Sequence, residues 1–431
     1  MTMRSPKRTS AETSRGASLF PFYAGYSPAF VDDVLTHLSL PPGALILDPW
    51  NGSGTTTTVA GRRGLSSIGF DINPAMLVVA RGHCVTAGDL GRLRGVTQRA
   101  LSRFHHEPLP RPSLDPLQTW FGETSAGVIR CLERSLSHKP RAIPVSAPLS
   151  PDDVTPSHAF LLLALFAAVR TLLRPLRRSN PTWISPTSPR LRFKCTKPSL
   201  ERRFLAALDR LVAKQRKALP SVHSFVRPRL AVASSDFLPL PIGVIDCVLA
   251  SPPYCTRLDY AVATLPELAI LGYPLNYILG TLRAQMIGSP TLHEHVDVPI
   301  VQWGPTCRRF LAAVRSHVSK GSRTYYYYFY QQYFRRLYCS LEELARVTTC
   351  GGAVALVVQD SYYKTLVLDL AQMVVEMATP LGWSSIGRRD YASAATWSHL
   401  NPATQRYRTA SPMTETLLLF RTGTQWSRRP R

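Results

Sequence analysis

Short apolar runs that stop at a polar residue recur along this chain of 431 residues. Ala44–Leu47 stops at Asp48, and Val244–Ala250 stops at Ser251, with Asp246 near its start in what we expect to be a structural role. Continuous apolar runs of this length are typical of strands that are buried on both faces of a parallel sheet. The pattern predicts strands at residues 44–48, 66–71, 225–232, 244–250, 351–358, 384–391 and 416–421.

A glycine-containing turn follows the first predicted strand. Asp48–Thr56 reads Asp-Pro-Trp-Asn-Gly-Ser-Gly-Thr-Thr, and a helical pattern continues to Arg63, with Gly64 at its end. A strand, a glycine turn and a helix form the nucleotide-binding start of doubly wound α/β folds. The sequence lacks the GxGxxG spacing of dinucleotide sites and the Gly-Lys-Ser/Thr of phosphate-binding loops. A ligand without phosphates fits better, such as a zwitterionic amino acid joined to a nucleoside.

Two carboxylates follow the next two predicted strands. Asp71 lies at the end of the second strand, about 20 residues past the glycine turn, where a carboxylate accepts hydrogen bonds from both ribose hydroxyls. Asp236 lies just past the third strand and suits the amino group of an adenine. The alternative for Asp71 is that it only caps the helix that Pro74 opens.

The fourth predicted strand leads directly into Ser251-Pro252-Pro253-Tyr254. An exocyclic amine of a nucleobase is a poor nucleophile because its lone pair is delocalised into the ring. Two fixed acceptors, the Ser251 hydroxyl and the Pro252 carbonyl, would hold both N–H bonds and draw the nitrogen toward tetrahedral geometry. The two prolines fix φ at successive residues, so the turn is stiff before a substrate arrives. Tyr254 offers a face on which an extruded base stacks.

Asp48–Thr55 and Ser251–Tyr254 resemble the cofactor loop and the catalytic tetrapeptide of bacterial DNA amino-methyltransferases that use S-adenosylmethionine. Phe22–Pro28 resembles the segment of those enzymes that packs against the methionine end of the cofactor. The resemblance implies an α/β fold, the Rossmann-like class I methyltransferase fold, with a mostly parallel seven-stranded sheet plus a largely helical insertion. It covers about half of the chain, mainly residues 20–90, 225–275 and 345–422.

The resemblance also implies roles for individual residues. The implied catalytic residues are Ser251, Pro252, Pro253 and Tyr254. The implied cofactor contacts are Tyr23, Asp48, Pro49, Asn51, Gly52, Ser53, Gly54, Thr55, Asp71, Ile72 and Asp236. Serine at the first catalytic position is more typical of cytosine-N4 enzymes, and Asp or Asn of adenine-N6 enzymes. The expected reaction is therefore transfer of a methyl group to the N4 amine of cytosine in DNA.

Three other functions stay open at this point. One is the same fold acting on adenine N6, and a second is an RNA enzyme that methylates a guanine amine, since such enzymes share a Pro-Pro-Tyr motif. The third is a catalytically silent nucleic-acid-binding protein. A cytosine-C5 mechanism is disfavoured, because its nucleophilic cysteine directly follows a proline, whereas Tyr254 separates Cys255 from Pro253.

The charge of the chain favours a polyanionic partner. It has 51 Lys and Arg against 27 Asp and Glu, a net charge of +24 and a pI near 10.2. We expect double-stranded DNA as the partner, with a cognate restriction endonuclease as a candidate second partner. No apolar run is long enough for a membrane span and no secretory signal is evident, so we expect a cytoplasmic protein. The eight cysteines include no CxxC pair, so no metal site is predicted.

The sequence divides into a predicted catalytic domain and two insertions. Residues 1–18 are predicted to be a disordered basic tail, and residues 19–91 with 225–431 to form the catalytic domain. Residues 92–224 form a helical insertion with helices at 160–173 and 200–218, which we expect to recognise the target sequence. A second insertion, 255–324, follows the catalytic motif, and its Leu258–Tyr260 segment is expected to shape the base pocket.

Two further segments are candidates for nucleic-acid contact. The first is a basic stretch in the helical insertion, with a solvated basic loop as the alternative. Its predicted DNA contacts are Arg174, Arg177, Arg178, Arg190, Arg192 and Lys194. The second is the aromatic run at residues 325–336, which suits base stacking but is more often a buried helix, the interpretation that we favour.

Overall fold

A central sheet organises the chain. The computed structural model describes residues 3–7, 19–20, 25–110, 114–137, 148–177, 183–219, 225–256, 259–292, 300–393 and 413–423. The strands in these residues are β1 (Leu45–Asp48), β2 (Ser66–Asp71), β3 (Arg229–Val232), β4 (Ile245–Ala250), β5 (Thr348–Gln359), β6 (Ser361–Tyr363), β7 (Leu366–Leu368), β8 (Trp383–Ser393) and β9 (Met413–Thr422). All except β6 and β7, which form a small hairpin, belong to one seven-stranded sheet.

The sheet has the order β3-β2-β1-β4-β5-β9-β8. The first five strands are parallel, and β9 runs antiparallel between β5 and β8. This order, with its antiparallel last pair, is that of the Rossmann-like class I methyltransferase fold. The predicted α/β class and the predicted mostly parallel sheet are therefore confirmed.

The strand order changes direction between β1 and β4, because β2 and β3 lie on one side of β1 whereas β4 and β5 lie on the other. Ile46 pairs with Cys247 and Leu47 with Val248 in a parallel register. The Asp246 carboxylate accepts a hydrogen bond from the Leu45 backbone N–H at 2.8 Å, so its predicted structural role is confirmed. In doubly wound sheets such a reversal leaves a crevice at the carboxyl ends of the strands, where ligands bind.

Helices cover both faces of the sheet, and none in the described ranges has both the length and the apolar character needed to cross a membrane. The main helices are α1 (Pro28–Leu38), α2 (Thr55–Arg62), α3 (Pro74–His83), α4 (Ala87–His106), α5 (Glu123–Leu136), α6 (Pro156–Leu172), α7 (Lys197–Ala218), α8 (Tyr260–Ala263), α9 (Leu265–Ile270), α10 (Gly304–Ser316), α11 (Tyr327–Val347) and α12 (Leu370–Ala378). Alternate strand residues serve opposite faces. Leu249 and Val357 join the core with α1, whereas Val248 and Leu356 join the core with α11 and α12.

The helical insertion lies between β2 and β3 and contains α4 to α7. Its first helix begins at Ala87, a few residues before the predicted boundary, and the two predicted helices correspond to α6 and α7. One apolar cluster contains Val78 of α3, Phe160 of α6 and Leu268 of α9. The insertion therefore shares a core with a helix beside the sheet and with the segment that follows β4.

Two buried arginines fasten the insertion to the segment after β4. Arg130 of α5 pairs with Asp115 at 3.0 Å and donates to the backbone carbonyl of Ala269 at 2.9 Å. Arg170 of α6 pairs with Glu267 of α9 through a contact of 2.8 Å. Buried charges are tolerated only when they are paired and hydrogen-bonded, as these are, so the contacts require the helices to stay in place.

One predicted helix is partly wrong. The helical pattern at residues 366–377 begins as the strand β7, and α12 starts only at Leu370. The Asp369 side chain accepts a hydrogen bond from the Gln372 backbone N–H at 2.9 Å and so fixes this start. A strand of three apolar residues is too short to show a strand period and reads equally well as part of a helical pattern, which is why the prediction placed the helix start too early.

The aromatic run lies in α11 and in the turn before it. Phe329, Tyr330, Tyr333 and Phe334 are buried in the core on the α11 face of the sheet. Phe310 of α10 meets Tyr330 edge to face, with ring centroids 4.9 Å apart. The favoured interpretation of this run as a buried helix is confirmed for these four residues.

Replacing Arg170 by Ala should lower the free energy of unfolding by about 3–5 kcal/mol, because it leaves the Glu267 carboxylate buried without its partner. Urea denaturation measures the change. Arg388→Ala removes the same charge from an exposed pair with Asp390 and should cost less than about 1 kcal/mol. Equal losses in the two variants would show that the Arg170 pair does not hold the insertion in place.

Candidate active site at the carboxyl edge of the sheet

The two predicted motifs meet at the crevice between β1 and β4. Asp48 is the last residue of β1, and Ser251 directly follows β4, the neighbouring strand. Asp71 ends β2 on the other side of β1. Because these strands are parallel, their carboxyl ends lie on one edge, and segments about 200 residues apart in sequence become neighbours.

The turn after β1 depends on glycine. Gly52 has φ of +50° and Gly54 has φ of +80°, in the left-handed region that other residues seldom adopt. A Cβ on Gly54 would lie 2.9 Å from the Cβ of Ala80 in α3, which is closer than such atoms approach. A Cβ on Gly69 of β2 would lie 2.6 Å from the Asn51 side chain. Glycines therefore set both the path of the turn and the space beneath it.

A cleft of about 810 Å³ opens at this edge of the sheet. Residues that the sequence predicted supply much of its lining: Pro49, Gly52, Asp71, Ile72, Ser251, Pro252, Pro253 and Tyr254. The expected base-pocket residue Tyr260 also lines it, together with Gln285 and Met286.

A second, smaller cleft of about 280 Å³ lies next to the first. Its predicted lining residues are Asp48, Asn51, Gly52, Ser53 and Thr55. Gly25 and Tyr26, at the end of the predicted Phe22–Pro28 segment, also line it. Trp50, Gly52 and Ser251 line both clefts, so the two cavities meet at these residues.

Asp71 holds the glycine turn and still faces the larger cleft. One carboxylate oxygen accepts a hydrogen bond from the Gly52 N–H and the other from the Asn73 N–H, both at 2.8 Å. The cap of α3 is Asn73, not Asp71, because the Asn73 side chain accepts from the Ala75 N–H. Burial raises the pKa of Asp71 to about 6, against the effect of the two backbone hydrogen bonds.

Asp48 is a buried carboxyl beside the smaller cleft. Burial raises its pKa to about 7, although hydrogen bonds from Thr56 and from the Trp50 N–H oppose the shift. The hydroxyls of Tyr26 and Thr56 bond to each other next to it, and the Tyr26 hydroxyl lies 3.5 Å from the carboxylate. A positively charged group placed in this cleft would favour the ionised form of Asp48.

The turn formed by Ser251–Tyr254 is held from two sides. The Tyr333 hydroxyl of α11 donates to the Pro253 carbonyl at 2.9 Å, and the Tyr254 hydroxyl donates to Glu415 of β9 at 3.3 Å. Sequence analysis did not identify Tyr333 or Glu415 as parts of the site. Each lies far along the chain from the motif, so no local spacing indicates the contact.

Two predicted cofactor contacts, Gly54 and Asp236, stand apart from the clefts. Gly54 does not line either cavity and instead caps the start of α2. Asp236 lies outside the lining, where its carboxylate accepts from Ser234 at 2.5 Å and lies 3.7 Å from Arg336. Ser234, which precedes it, faces the cleft. Tyr23 lies outside the described residues.

Cys255 directly follows the Ser251–Tyr254 turn but does not line the larger cleft. Burial raises the pKa of its thiol well above the ordinary value, which disfavours the thiolate that a nucleophile requires. The position and the pKa both agree with the expectation that Cys255 is not a nucleophile.

The basic stretch of the insertion is exposed. Arg174, Arg177, Arg190 and Lys194 are exposed, and Arg192 is half-buried. None of these five side chains lines the clefts, and Arg178 lies outside the described residues. Within this stretch, Arg177 and Ile184 form an isolated antiparallel bridge.

A comparison with protein families supports part of this picture. A family model described as DNA methylase, for N6 and N4 methyltransferases, matches residues 5–81. The match spans β1, the glycine turn, β2 and most of α3, which is less than a fifth of the chain. No curated protein matches the chain significantly.

Solved structures resemble the chain only at low similarity. A SAM-dependent methyltransferase from Methanosarcina mazei is 9% identical over 90% of this chain and 97% of its own, with a TM-score of 0.32. The rRNA methyltransferase aviRa from Streptomyces viridochromogenes is 11% identical over 96% and 94%, with a TM-score of 0.28. The cyclase SpnF is 10% identical over 92% and 81%, with a TM-score of 0.34. These scores are too low to carry an argument, so the fold assignment depends on the strand order.

Replacing Gly54 by Ala should lower the free energy of unfolding by about 2–5 kcal/mol. The left-handed backbone contributes about 1–2 kcal/mol, and the overlap with Ala80 adds about 1–3 kcal/mol of overpacking. Gly43→Ala is a matched control, since Gly43 has φ of +81° but no atom within 4 Å of the added Cβ. Urea denaturation of both variants should show the larger loss for Gly54→Ala, and equal losses would contradict the steric argument.

Proposed function

We propose that the protein transfers a methyl group from S-adenosylmethionine to an exocyclic amine of a base in double-stranded DNA, with the N4 amine of cytosine as the favoured acceptor. One observation carries the proposal. Ser251, the residue predicted to hold the amine, lines both clefts and stands where they join. A donor in one cavity and an acceptor in the other would meet at this residue.

The two joined clefts suit the cofactor. A carboxylate has about four lone-pair positions, and Asp71 uses two of them for backbone N–H groups, so two remain for ribose hydroxyls. The smaller cleft offers Asp48 and Tyr26 to a zwitterionic amino-acid end. When bound, the cofactor supplies a methyl group on a sulfonium, which is a good leaving group. This chain's residues would bind and orient the two reactants, and the proton that the methylated nitrogen gives up would pass to solvent.

The catalytic turn suits an amine acceptor. The Ser251 hydroxyl and the Pro252 carbonyl accept hydrogen bonds from the two N–H groups of the amine and so localise the lone pair of its nitrogen. Pro252 and Pro253 stiffen the turn, and the Tyr333 hydroxyl anchors the Pro253 carbonyl. Because the acceptors are fixed before the reaction, little reorganisation opposes the transition state.

The surface charge supports DNA as the substrate. A net charge of +24 gives the chain a strong, salt-sensitive attraction to a polyanion. The exposed basic stretch of the insertion, with Arg174, Arg177 and Lys194, is proposed to contact the phosphate backbone and base edges. The matched family model, described as DNA methylase, agrees with this substrate.

Adenine N6 in DNA is the second candidate acceptor. The matched family model covers N6 and N4 enzymes alike, so it does not separate them. Serine at position 251 favours cytosine, because the resemblance associates serine there with N4 enzymes.

Mass spectrometry of nucleosides tests the proposal most directly. The protein is incubated with S-adenosylmethionine and either genomic DNA or total RNA, and the digested nucleosides are analysed. N4-methylcytosine from DNA is the expected product. N6-methyladenine would favour the second candidate, and a methylated guanine from RNA would overturn the DNA substrate. No product, together with no affinity for S-adenosylhomocysteine, would indicate a nucleic-acid-binding protein without activity.

Replacing Ser251 by Ala should lower the single-turnover rate constant by about 100-fold, the usual loss when one preorganised hydrogen-bonding group is removed. The affinity for S-adenosylhomocysteine should change little, because the cofactor contacts remain. Ser384→Ala, an exposed position on β8, is the control and should keep the wild-type rate. Full activity in the Ser251 variant would refute the assignment of this turn as catalytic.

Cofactor affinity should depend on pH through Asp71. Its pKa of about 6 lies above that of an ordinary carboxyl, so the ligand-free protein gains a proton there as the pH falls below about 6. A protonated carboxyl offers fewer acceptor positions to a ribose, so binding should weaken in acid. Calorimetry with 5′-methylthioadenosine isolates this effect, because that ligand lacks the amino-acid end facing Asp48. Asp71→Asn should bind more weakly and lose this pH dependence, and an unchanged dependence would assign it to another group.

A further inference from the structure

Glu415 is a buried carboxyl directly behind the catalytic turn. It lies near the start of β9 and is 7% exposed. One of its oxygens accepts the hydrogen bond from the Tyr254 hydroxyl at 3.3 Å. The other oxygen is buried and has no hydrogen-bond partner within the described part of the chain. A carboxyl in such surroundings is costly for the fold, which indicates a role at the site.

The sheet topology explains why β9 delivers a side chain to this place. β9 runs antiparallel to β5, so its first residues lie at the edge where β4 and β5 end. In this register Glu415 pairs with Gln359 of β5 and Tyr391 of β8. The first residues of β9 therefore lie beside the segment that follows β4, although 161 residues separate Tyr254 and Glu415 in sequence.

Burial and two neighbours, Lys7 and Tyr254, act on the pKa of Glu415. Burial raises the pKa of Glu415, while the positive charge of Lys7 and the hydrogen bond from Tyr254 lower it. The pKa of Tyr254 is raised well above its ordinary value, first by burial and then by the negative charge of Glu415. Tyr254 therefore keeps its proton and acts as a hydrogen-bond donor to Glu415.

Because Tyr254 donates to Glu415, the donor and the acceptor in the neighbouring hydrogen bond with Ser251 are also determined. The Tyr254 hydroxyl donates its one proton to a Glu415 oxygen at 3.3 Å, so it has none left for another acceptor. A hydrogen bond with the Ser251 side chain lowers the pKa of Tyr254, although the effect of burial is larger. Since the Tyr254 proton is committed, Ser251 is the donor in that bond, and its lone pairs are left for the cleft. Lone pairs are what an amine N–H needs.

We propose that Glu415 is a positioning residue that orients the Tyr254 and Ser251 hydroxyls so that a Ser251 lone pair faces the amine. The inference rests on the proposed function. It differs from a structural role for Glu415, because the effect of the carboxylate passes through the Tyr254 hydroxyl and no other group. The carboxylate does not contact the amine itself.

A double-mutant cycle tests this dependence. Glu415→Gln keeps the side-chain volume but replaces the acceptor-only group with an amide, and Tyr254→Phe removes the hydroxyl while keeping the ring. Each single variant should lower the single-turnover rate constant of methyl transfer by about tenfold or more, the usual effect of a lost hydrogen bond to a charged group. In the Tyr254→Phe background, Glu415→Gln should cause no further loss.

A matched control variant accompanies the cycle, and a second measurement tests the hydrogen bond without relying on enzyme activity. Thr416→Val changes the next residue of β9, a buried side chain that bonds to Asp390 and not to Tyr254, and should leave the rate unchanged. Carbon-13 labelling of the tyrosine Cζ atoms, with Tyr254→Phe to assign the resonance, reports the hydrogen bond in the absence of substrate. Glu415→Gln should shift the Tyr254 resonance, and Thr416→Val should not.

Each outcome decides the inference. An unshifted Tyr254 resonance in Glu415→Gln would overturn it, as would a rate loss that persists in the Tyr254→Phe background. The inference is supported if Glu415→Gln shifts the Tyr254 resonance and lowers the rate constant only in protein that retains Tyr254. If the wild-type protein methylated no nucleic acid, the proposed function would fail, while the resonance would still decide whether Glu415 orients the hydroxyl.

Discussion

The parallel pairing of β1 with β4 is the constraint on which the whole site depends. It joins two strands that lie far apart in sequence and fixes their register through Asp246. The predicted residues at the centre of the clefts end or directly follow one of these strands or a neighbour: the glycine turn after β1, Asp71 at the end of β2 and Ser251 after β4. Both motifs contribute to the lining of the joined clefts, so the pairing of the two strands is what brings them together.

The rest of the fold supports these walls from outside. α11 anchors the Ser251–Tyr254 turn through Tyr333, and β9 does so through Glu415. The insertion reaches the same region through Arg130, which donates to the Ala269 carbonyl, and through Arg170, which pairs with Glu267, and both contacts lie on the segment that also carries the cleft residue Tyr260. A region proposed to contact DNA is thereby joined to one wall of the cavity by buried charges, which tolerate little displacement.

The sequence predicted the features that depend on local patterns, but not the contacts between residues that lie far apart in the chain. The strands, the glycine turn, and the placement of Asp71 and Ser251 follow from local patterns and from the rule that parallel strands end on one edge. Tyr333 and Glu415 were missed because each contact spans many residues and leaves no local pattern. Asp236 was assigned from its position after β3, but the turn there directs Ser234 into the cleft and Asp236 toward Arg336.

The close approach of Gly54 to Ala80 has a consequence for how this sequence can change over time. Gly54 directly precedes α2 and Ala80 lies in α3, and no room is left between them for a methyl group on position 54. Position 54 can therefore accept a side chain only if position 80 loses its own or the turn changes shape. Relatives with this site should consequently keep glycine at position 54 wherever position 80 carries a side chain.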